Sequence, residues 1–228
     1  MSKVVGILGG ISPASTSQYY RKIIDLYFQL HQNYYYPEII IYSLDFQKFT
    51  DMENAEDSTA YVAYILDGLN ALVKAGADFV IMAANSPHAV YDELVKEINV
   101  PIISIVEVTA RKAQEQGLKK LLLLGIAFTM QSTFYQDVFA KYDMRVTTPN
   151  AEQQKEIDDI IFKELVVNNF QDDTRERLLE VIDGYQVDGV ILGCTELPLI
   201  LTQDIAPVIL LDTLGLHVEA ALNLALET

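Results

Sequence analysis

The chain holds one cysteine, Cys194, in Gly193-Cys194-Thr195-Glu196-Leu197, and its sequence contains a second copy of that neighbourhood without the thiol. Asp78-Phe79-Val80-Ile81-Met82-Ala83-Ala84-Asn85-Ser86 matches Asp188-Gly189-Val190-Ile191-Leu192-Gly193-Cys194-Thr195-Glu196 at a constant offset of 110, set by Asp78 on Asp188. Ala84 therefore falls on Cys194, Asn85 on Thr195 and Ser86 on Glu196. A thiolate can remove a proton or attack a carbon, whereas alanine can do neither. Whatever chemistry the pair of loops supports is centred on Cys194.

The neighbours of these two positions are suited to holding a carboxylate. Asn85, Ser86 and Thr195 offer an amide and hydroxyls without adding charge, and the plainer use of the same groups is to cap the helices that follow. The segment after Cys194 reads as a helix from near Leu197, which would lower the thiol pKa through free N–H groups at its N-terminus. Glu196 is either a proton acceptor for Cys194 or a first-turn acid favoured by the helix dipole. His88 is expected to be structural, bracing its turn, with an acid or hydrogen-bonding role near the ligand as the alternative. Thr129 is expected to cap a helix Met130–Tyr142. Gly6-x-x-Gly9-Gly10-Ile11-Ser12-Pro13 lacks the Gly-x-Gly-x-x-Gly spacing and any Walker lysine, so it does not read as a nucleotide loop. Ser12 as N-cap and Pro13 as first helical residue would leave N–H groups free to hold a carboxylate.

These loops need elements to position them. Apolar runs at Lys3–Leu8, Ile39–Asp45, Asp78–Ala83, Pro101–Ile105, Lys120–Gly125, Arg145–Thr147, Gly189–Gly193 and Val208–Leu211 read as strands. Amphipathic stretches between them read as helices: Ser12–Gln32, Ala55–Ala75, Pro87–Ile98, Val108–Gln116, Met130–Tyr142, Ala151–Val167, Asp173–Tyr185 and Leu214–Leu226. Alternation of this kind implies parallel sheets, whose ligands collect beyond the carboxyl ends of the strands. The loops after Leu8, Ala83, Gly125 and Gly193 are all strand ends. The expected fold class is α/β, with two pseudo-symmetric parallel-sheet domains, residues 1–106 and 107–212, and a C-terminal helix 213–228 returning to the first.

Half of the residues are apolar, enough for two cores. Thirty-two carboxylates against sixteen Lys and Arg give a net charge of −16, and no basic stripe suggests nucleic acid as a partner. No apolar run is long enough to span a membrane, and Val4–Ile11 lacks a signal-peptide cleavage pattern. The lone cysteine suits a reducing, cytoplasmic setting. Three scattered histidines give no metal constellation. Tyr34-Tyr35-Tyr36 suggests packing or an interface, such as a homodimer.

Gly6-Ile7-Leu8-Gly9-Gly10-Ile11-Ser12-Pro13, Ala84-Asn85-Ser86-Pro87-His88, Phe128-Thr129-Met130 and Gly193-Cys194-Thr195-Glu196-Leu197 resemble, in order and spacing, the aspartate/glutamate racemase family. The resemblance implies a cofactor-independent isomerase, often a homodimer, with the active site in the cleft between its two halves. One cysteine from each half would exchange the α-proton of an amino acid from opposite faces. Here Cys194 is kept and Ala84 replaces its partner, leaving Ser86, His88 or water as substitutes. The residues expected around the substrate are Ile11, Ser12, Pro13, Lys48, Asn85, Ser86, Thr129 and Thr195. Relatives acting on aspartate carry an arginine and a lysine where this chain has Lys48-Phe49-Thr50 and Val166-Val167, which points to an amino acid with a neutral or apolar side chain. Two other outcomes fit one cysteine: a decarboxylase similar to the arylmalonate decarboxylases, or a non-catalytic protein that binds small carboxylates.

Overall fold

The structure, a computed structural model, describes residues 2–55, 58–167 and 169–227. The expected helix Ala55–Ala75 therefore begins across two residues, 56 and 57, that lie outside them. The chain divides into two compact units, one running through Ile105 and resuming at His217, the other comprising Val106–Leu216.

The first unit contains β1 (Val5–Gly9), α1 (Pro13–His31), β2 (Ile39–Ser43), α2 (Phe46–Glu53), α3 (Ser58–Lys74), β3 (Phe79–Met82), a 3₁₀ turn (Ser86–Val90), α4 (Tyr91–Glu97) and β4 (Ile102–Ile103). Its four strands are parallel in the order β2-β1-β3-β4. The central strands β1 and β3 are buried along their whole length, as expected of strands covered on both faces. Leu8, Ile65, Leu69, Val80 and Met82 form part of one core, each large side chain contributing about 2 kcal/mol by leaving water. Leu8 pairs with Met82, so the loops after β1 and β3 emerge side by side.

The second unit repeats the plan with α5 (Ile105–Glu115), β5 (Lys120–Leu124), α6 (Ala127–Gln131), α7 (Phe134–Ala140), β6 (Arg145–Thr147), α8 (Ala151–Lys163), a 3₁₀ turn (Leu165–Val167), α9 (Asp172–Asp183), β7 (Gly189–Leu192), a 3₁₀ turn (Leu197–Leu199) and β8 (Ile209–Asp212), and α10 (Thr213–Leu226) begins in it and belongs to the first unit from His217 on. Its sheet is again parallel, in the order β6-β5-β7-β8. That is the first order shifted by four strands, and it places β7 in the position of β3. The fold is thus α/β with two four-stranded parallel sheets. Leu124 pairs with Leu192, which sets the loop carrying Thr129 beside the loop carrying Cys194.

Several elements differ from the sequence expectation: the helix expected at Pro87–Ile98 is the 3₁₀ turn Ser86–Val90 followed by α4, and the one expected at Ala151–Val167 ends at Lys163 before a separate 3₁₀ turn. The helix expected at Met130–Tyr142 is two short helices, α6 and α7, and α6 starts at Ala127. An extra helix, α2, fills the stretch after β2, with Asp45 capping it through Lys48 N. The chain returns to the first unit at His217, not at residue 213. The first turn of α10 is held in the second unit by Thr213 Oγ1 donating to Leu192 O and by Gly215 N donating to Asp212. Farther along, the His217 ring and the Lys3 N–H to Ala225 O bond fix the helix to the first unit. Among the described residues no helix is long and apolar enough to cross a membrane.

Candidate active site

The candidate residues gather at strand ends, one group in each unit. In the first unit the turn after β1 is built by Gly10 and Ser12. Gly10 has φ +80, and a Cβ there would lie 2.2 Å from Leu44 O, so only glycine fits. Ser12 is a non-glycine residue at φ 114, a strained conformation of the kind that clusters at functional sites. It caps α1, accepting a bond from Ser15 N at 3.3 Å, and Pro13 follows at the first helical position. Ser15 Oγ in turn donates to Ala83 O at 2.6 Å, tying the β1 turn to the residue before Ala84.

The loop after β3 is held by a pair of histidines. His88 Nε2 accepts from Ile105 N at 3.2 Å, so its proton sits on Nδ1, which donates to Asn85 O at 3.2 Å. Burial pushes the His88 pKa down to about 4. His217 stands 6.0 Å away ring to ring, its Nε2 donating to Ile103 O at 3.0 Å and its Nδ1 accepting from the Tyr19 hydroxyl at 2.9 Å. Burial, and then the neighbouring His88, push its pKa down to about 3. His217, distant from the loops in the sequence, is thus part of the loop's support. With both ring nitrogens engaged, His88 is not the acid or base that replaces a thiol.

Ala84 itself is half-buried, and the side chain nearest to it in sequence with a transferable proton is Ser86, which is buried. Ser86 is hydrogen-bonded to Glu53 at the end of α2 and to Tyr61 on α3. Tyr61 Oη donates to Glu53 Oε1 at 3.2 Å. Burial holds the Glu53 carboxyl above its ordinary pKa, opposed by these two hydrogen bonds.

In the second unit Cys194 follows β7 directly. Gly193 allows the close approach: a Cβ there would meet Leu123 Cδ1 at 2.8 Å and Leu124 O at 2.9 Å. The Cys194 Sγ donates to Glu196 Oε2 at 3.0 Å, and Thr195 Oγ1 donates to the same oxygen at 2.8 Å. Glu196 is buried. Burial, then the charge of Glu196 and the hydrogen bond to it, push the Cys194 pKa well up. The lowered pKa expected from a helix N-terminus is therefore overturned. Only the 3₁₀ turn Leu197–Leu199 follows, too short for a helix dipole, and the Thr195 and Glu196 N–H groups that do bond the sulfur and lower its pKa are outweighed by burial and by the Glu196 carboxylate. The same geometry removes the dipole account of Glu196, whose Oε2 instead accepts the hydrogen bonds of Cys194 and Thr195.

The sequence of the chain and this geometry coincide with a known family. A family model described as Asp/Glu/Hydantoin racemase matches residues 8–221. The chain belongs to this family. It is 30% identical over 203 residues to the broad specificity amino-acid racemase RacX of Bacillus subtilis (strain 168), with 87% of each chain covered. Among solved structures, an aspartate racemase homologue from Pyrococcus horikoshii OT3 is 37% identical, covers 100% of both chains and superposes with a TM-score of 0.88. The aspartate racemase of Picrophilus torridus is 25% identical, with 98% of this chain and 94% of that one covered and a TM-score of 0.78.

Within this racemase family chain, the remaining expected site residues divide by what their side chains already do. Thr129 lies inside α6 and does not cap it; its Oγ1 is buried with no hydrogen-bond partner among the described residues. That orphan hydroxyl, beside Gly125 and Gly193, is a donor in need of an acceptor. Asn85 and Thr195 are buried, and neither side chain caps the following 3₁₀ turn. Ile11 packs its side chain into the first core, leaving its backbone for any ligand, and Pro13 is exposed. Lys48 is exposed on α2 with its ammonium 4.4 Å from the Tyr64 ring centroid. Among the described residues its contacts are with Asp45 and Tyr64, neither a candidate. Val167 lies on the 3₁₀ turn after α8 and is exposed. Glu53 and Tyr61 were not anticipated. The available signal was the Phe46/Phe49 spacing behind Asp45, which marks a short helix ending at Glu53.

Proposed function

We propose that the protein is an amino-acid racemase-type isomerase in which Cys194 exchanges the α-proton of a small amino acid, and that Ala84 leaves the other half without its thiol. The observation that carries this reading is the 3.0 Å hydrogen bond from Cys194 Sγ to Glu196. A thiol with a raised pKa is a poor base alone, but passing its proton to Glu196 makes a thiolate and a carboxylic acid with the same total charge. The transfer adds no net charge to the site, and the intrinsic gap of about 4 pKa units between a thiol and a carboxylic acid, roughly 5–6 kcal/mol, is what the bound substrate must offset. Ser12, Asn85, Ser86, Thr129 and Thr195, with the backbone of Ile11, hold the substrate carboxylate and amine. The engagement of Lys48 with Tyr64 supports a substrate whose side chain is neutral.

The test is solvent exchange in heavy water with both enantiomers of the common amino acids, followed by the loss of the α-proton NMR signal. Exchange with at least one amino acid, abolished in Cys194→Ala, is the expected result. No exchange with any of them would sink the reading.

A second reading has its own support. A protonated thiol in one half, with no second thiol in the other, is what a one-acid decarboxylase of the arylmalonate type needs, since it only has to protonate a carbanion. Carbon dioxide release from an arylmalonate, abolished in Cys194→Ala, would favour it. The assembly we propose is a homodimer, supported by the exposed Tyr34 and Tyr35. Sedimentation at the mass of one 25.6 kDa chain would refute it.

A further inference from the structure

The loop after β3 is braced by side chains that meet only because α10 returns to the first unit. Asn85 O accepts from the His88 backbone N–H at 3.0 Å and from the His88 ring Nδ1 at 3.2 Å, so one residue closes the Asn85–His88 turn in two ways. The other ring nitrogen, Nε2, accepts from Ile105 N at 3.2 Å. One peptide earlier, Ile103 O accepts from His217 Nε2 at 3.0 Å, and the Tyr19 hydroxyl donates to His217 Nδ1 at 2.9 Å. Tyr91 stacks on His88 and donates its hydroxyl to Ile102 O at 2.8 Å. The end of β4 is thus gripped by Tyr91, His217 and His88 within four residues, 102–105. A carbonyl only accepts and an amide N–H only donates, so these partners assign the ring protons, to Nδ1 on His88 and to Nε2 on His217. The two buried rings, 6.0 Å apart, are neutral in opposite tautomers. All of these groups belong to the first unit, in which Ile105 is the last residue before the chain leaves and His217 the first after it returns.

We propose that Tyr19 and His217 are positioning residues for Asn85: they anchor the end of β4, which sets the His88 ring, which sets the peptide that carries the Asn85 side chain. The proposal rests on the racemase reading above, in which Asn85 helps to hold the amino acid. The protons give this line of contacts its order. The Tyr19 hydroxyl occupies His217 Nδ1, so the ring proton lies on Nε2 and goes to Ile103 O. The adjacent peptide gives the Ile105 N–H to His88 Nε2, which leaves that ring only its Nδ1–H to give, and this goes to Asn85 O. If the His217 proton moved to Nδ1, a bare Nε2 would face the Ile103 carbonyl and the anchor would be lost. Acid breaks the line at the other ring, where a second proton on His88 would face the Ile105 N–H. The titratable groups that meet the rings are Tyr19 from α1, Tyr91 from α4 and the histidines themselves, and no carboxylate contributes to the lowered pKa of either ring. Burial keeps both rings neutral near neutral pH, so a single pair of tautomers persists.

The experiment compares wild type, Tyr19→Phe, His217→Leu and His217→Gln, the last keeping a donor for Ile103 O and an acceptor for Tyr19. The first readout needs no substrate: NMR of labelled protein reports which nitrogen of each histidine ring is protonated and follows the side-chain amide signal of Asn85. Expected in wild type is one buried ring protonated at Nδ1 and the other at Nε2. The Asn85 signal should move in Tyr19→Phe and His217→Leu and return to its wild-type place in His217→Gln. The second readout is α-proton exchange in heavy water with kcat and KM separated. Here KM for the exchanged amino acid should rise about fivefold or more in Tyr19→Phe and His217→Leu, with kcat changed by less than about twofold, and His217→Gln should restore KM. Tyr19→Phe retains the ring that packs on His217, so its result stands even if His217→Leu fails to fold. An Asn85 signal unmoved in Tyr19→Phe, an unchanged KM, or both rings in the same tautomer in wild type would overturn the proposal. If wild type exchanges no amino acid, the racemase reading falls, and the Asn85 signal alone then decides whether Tyr19 and His217 position that residue.

Discussion

Lowering the pH from about 7 to about 5 should destabilise the first unit through its two neutral histidines. The folded pKa values, about 4 for His88 and about 3 for His217, lie below the ordinary value of 6.5. Below about pH 6.5 the unfolded chain takes up protons that the folded chain refuses, so stability is complete above that pH and is lost as pH falls toward the folded values. At about 1.4 kcal/mol per pH unit, the full loss is about 3 kcal/mol for His88 and about 5 kcal/mol for His217. Part of the second figure is repulsion from the first, so the two do not simply add. Set against a typical domain stability of about 5–15 kcal/mol, either is large. The cause is visible in the hydrogen bonds. A second proton on His88 would face the Ile105 N–H, and one on His217 would face the Tyr19 hydroxyl, which must then turn its own proton away.

Glu53 acts with the opposite sign: its raised folded pKa makes the folded state take up a proton first, which adds stability as pH falls. Each histidine contributes a loss of about 1.2 kcal/mol between about pH 6 and about pH 5, which the Glu53 carboxyl reduces. Urea unfolding followed by far-UV circular dichroism measures this, with the slope m expected to stay constant; the chain has no tryptophan for fluorescence. His217→Gln can keep a donor to Ile103 O and an acceptor for Tyr19 while removing one titrating ring, so its loss of stability between about pH 6 and about pH 5 should be smaller by about 1 kcal/mol. An identical pH dependence in wild type and His217→Gln would refute the reasoning.

Other outcomes follow from the same geometry. Glu196→Gln removes the charge that helps to raise the Cys194 pKa and adds an amide donor beside the sulfur, so the thiol pKa should fall. Thiolate absorbance at about 240 nm reads it without interference from a second cysteine, and an unchanged or higher value would count against the Cys194–Glu196 coupling. Thr129→Val exchanges a buried hydroxyl without a partner for a methyl and should leave stability unchanged or raise it by up to about 1 kcal/mol in thermal unfolding, while weakening substrate binding. A loss of stability would mean that the hydroxyl has a structural role. Gly10→Ala should cost about 2 kcal/mol or more, because the φ of +80 and the Leu44 backbone both exclude a Cβ; a variant as stable as wild type in urea would contradict the turn geometry.

The parts legible in the sequence were those written as repeats and periods. The match of Asp78–Ser86 with Asp188–Glu196 places β3 and β7 at equivalent points of two sheets with the same strand order, and the apolar runs mark all eight strands. What escaped depends on contacts between distant residues or on the length of an element. The segment after Cys194 has the composition of a helix start, but Pro198 and the loop that follows stop it after one 3₁₀ turn. An argument from a helix dipole then loses its helix, and the sign of the thiol shift reverses. His217 and His88 are separated by most of the chain and meet only because α10 returns to the first unit. Glu53 was hidden for a related reason. Nothing local distinguishes it from Glu56 or Asp57 beside it in the sequence, and its meaning comes from Tyr61 and Ser86, which only the fold brings to it. An aligned repeat shows that Ala84 corresponds to Cys194, but not which distant side chains the fold brings near it. Glu53 and Tyr61, hydrogen-bonded to each other, are carried on two helices that precede β3 in the chain, where no repeat or period marks them.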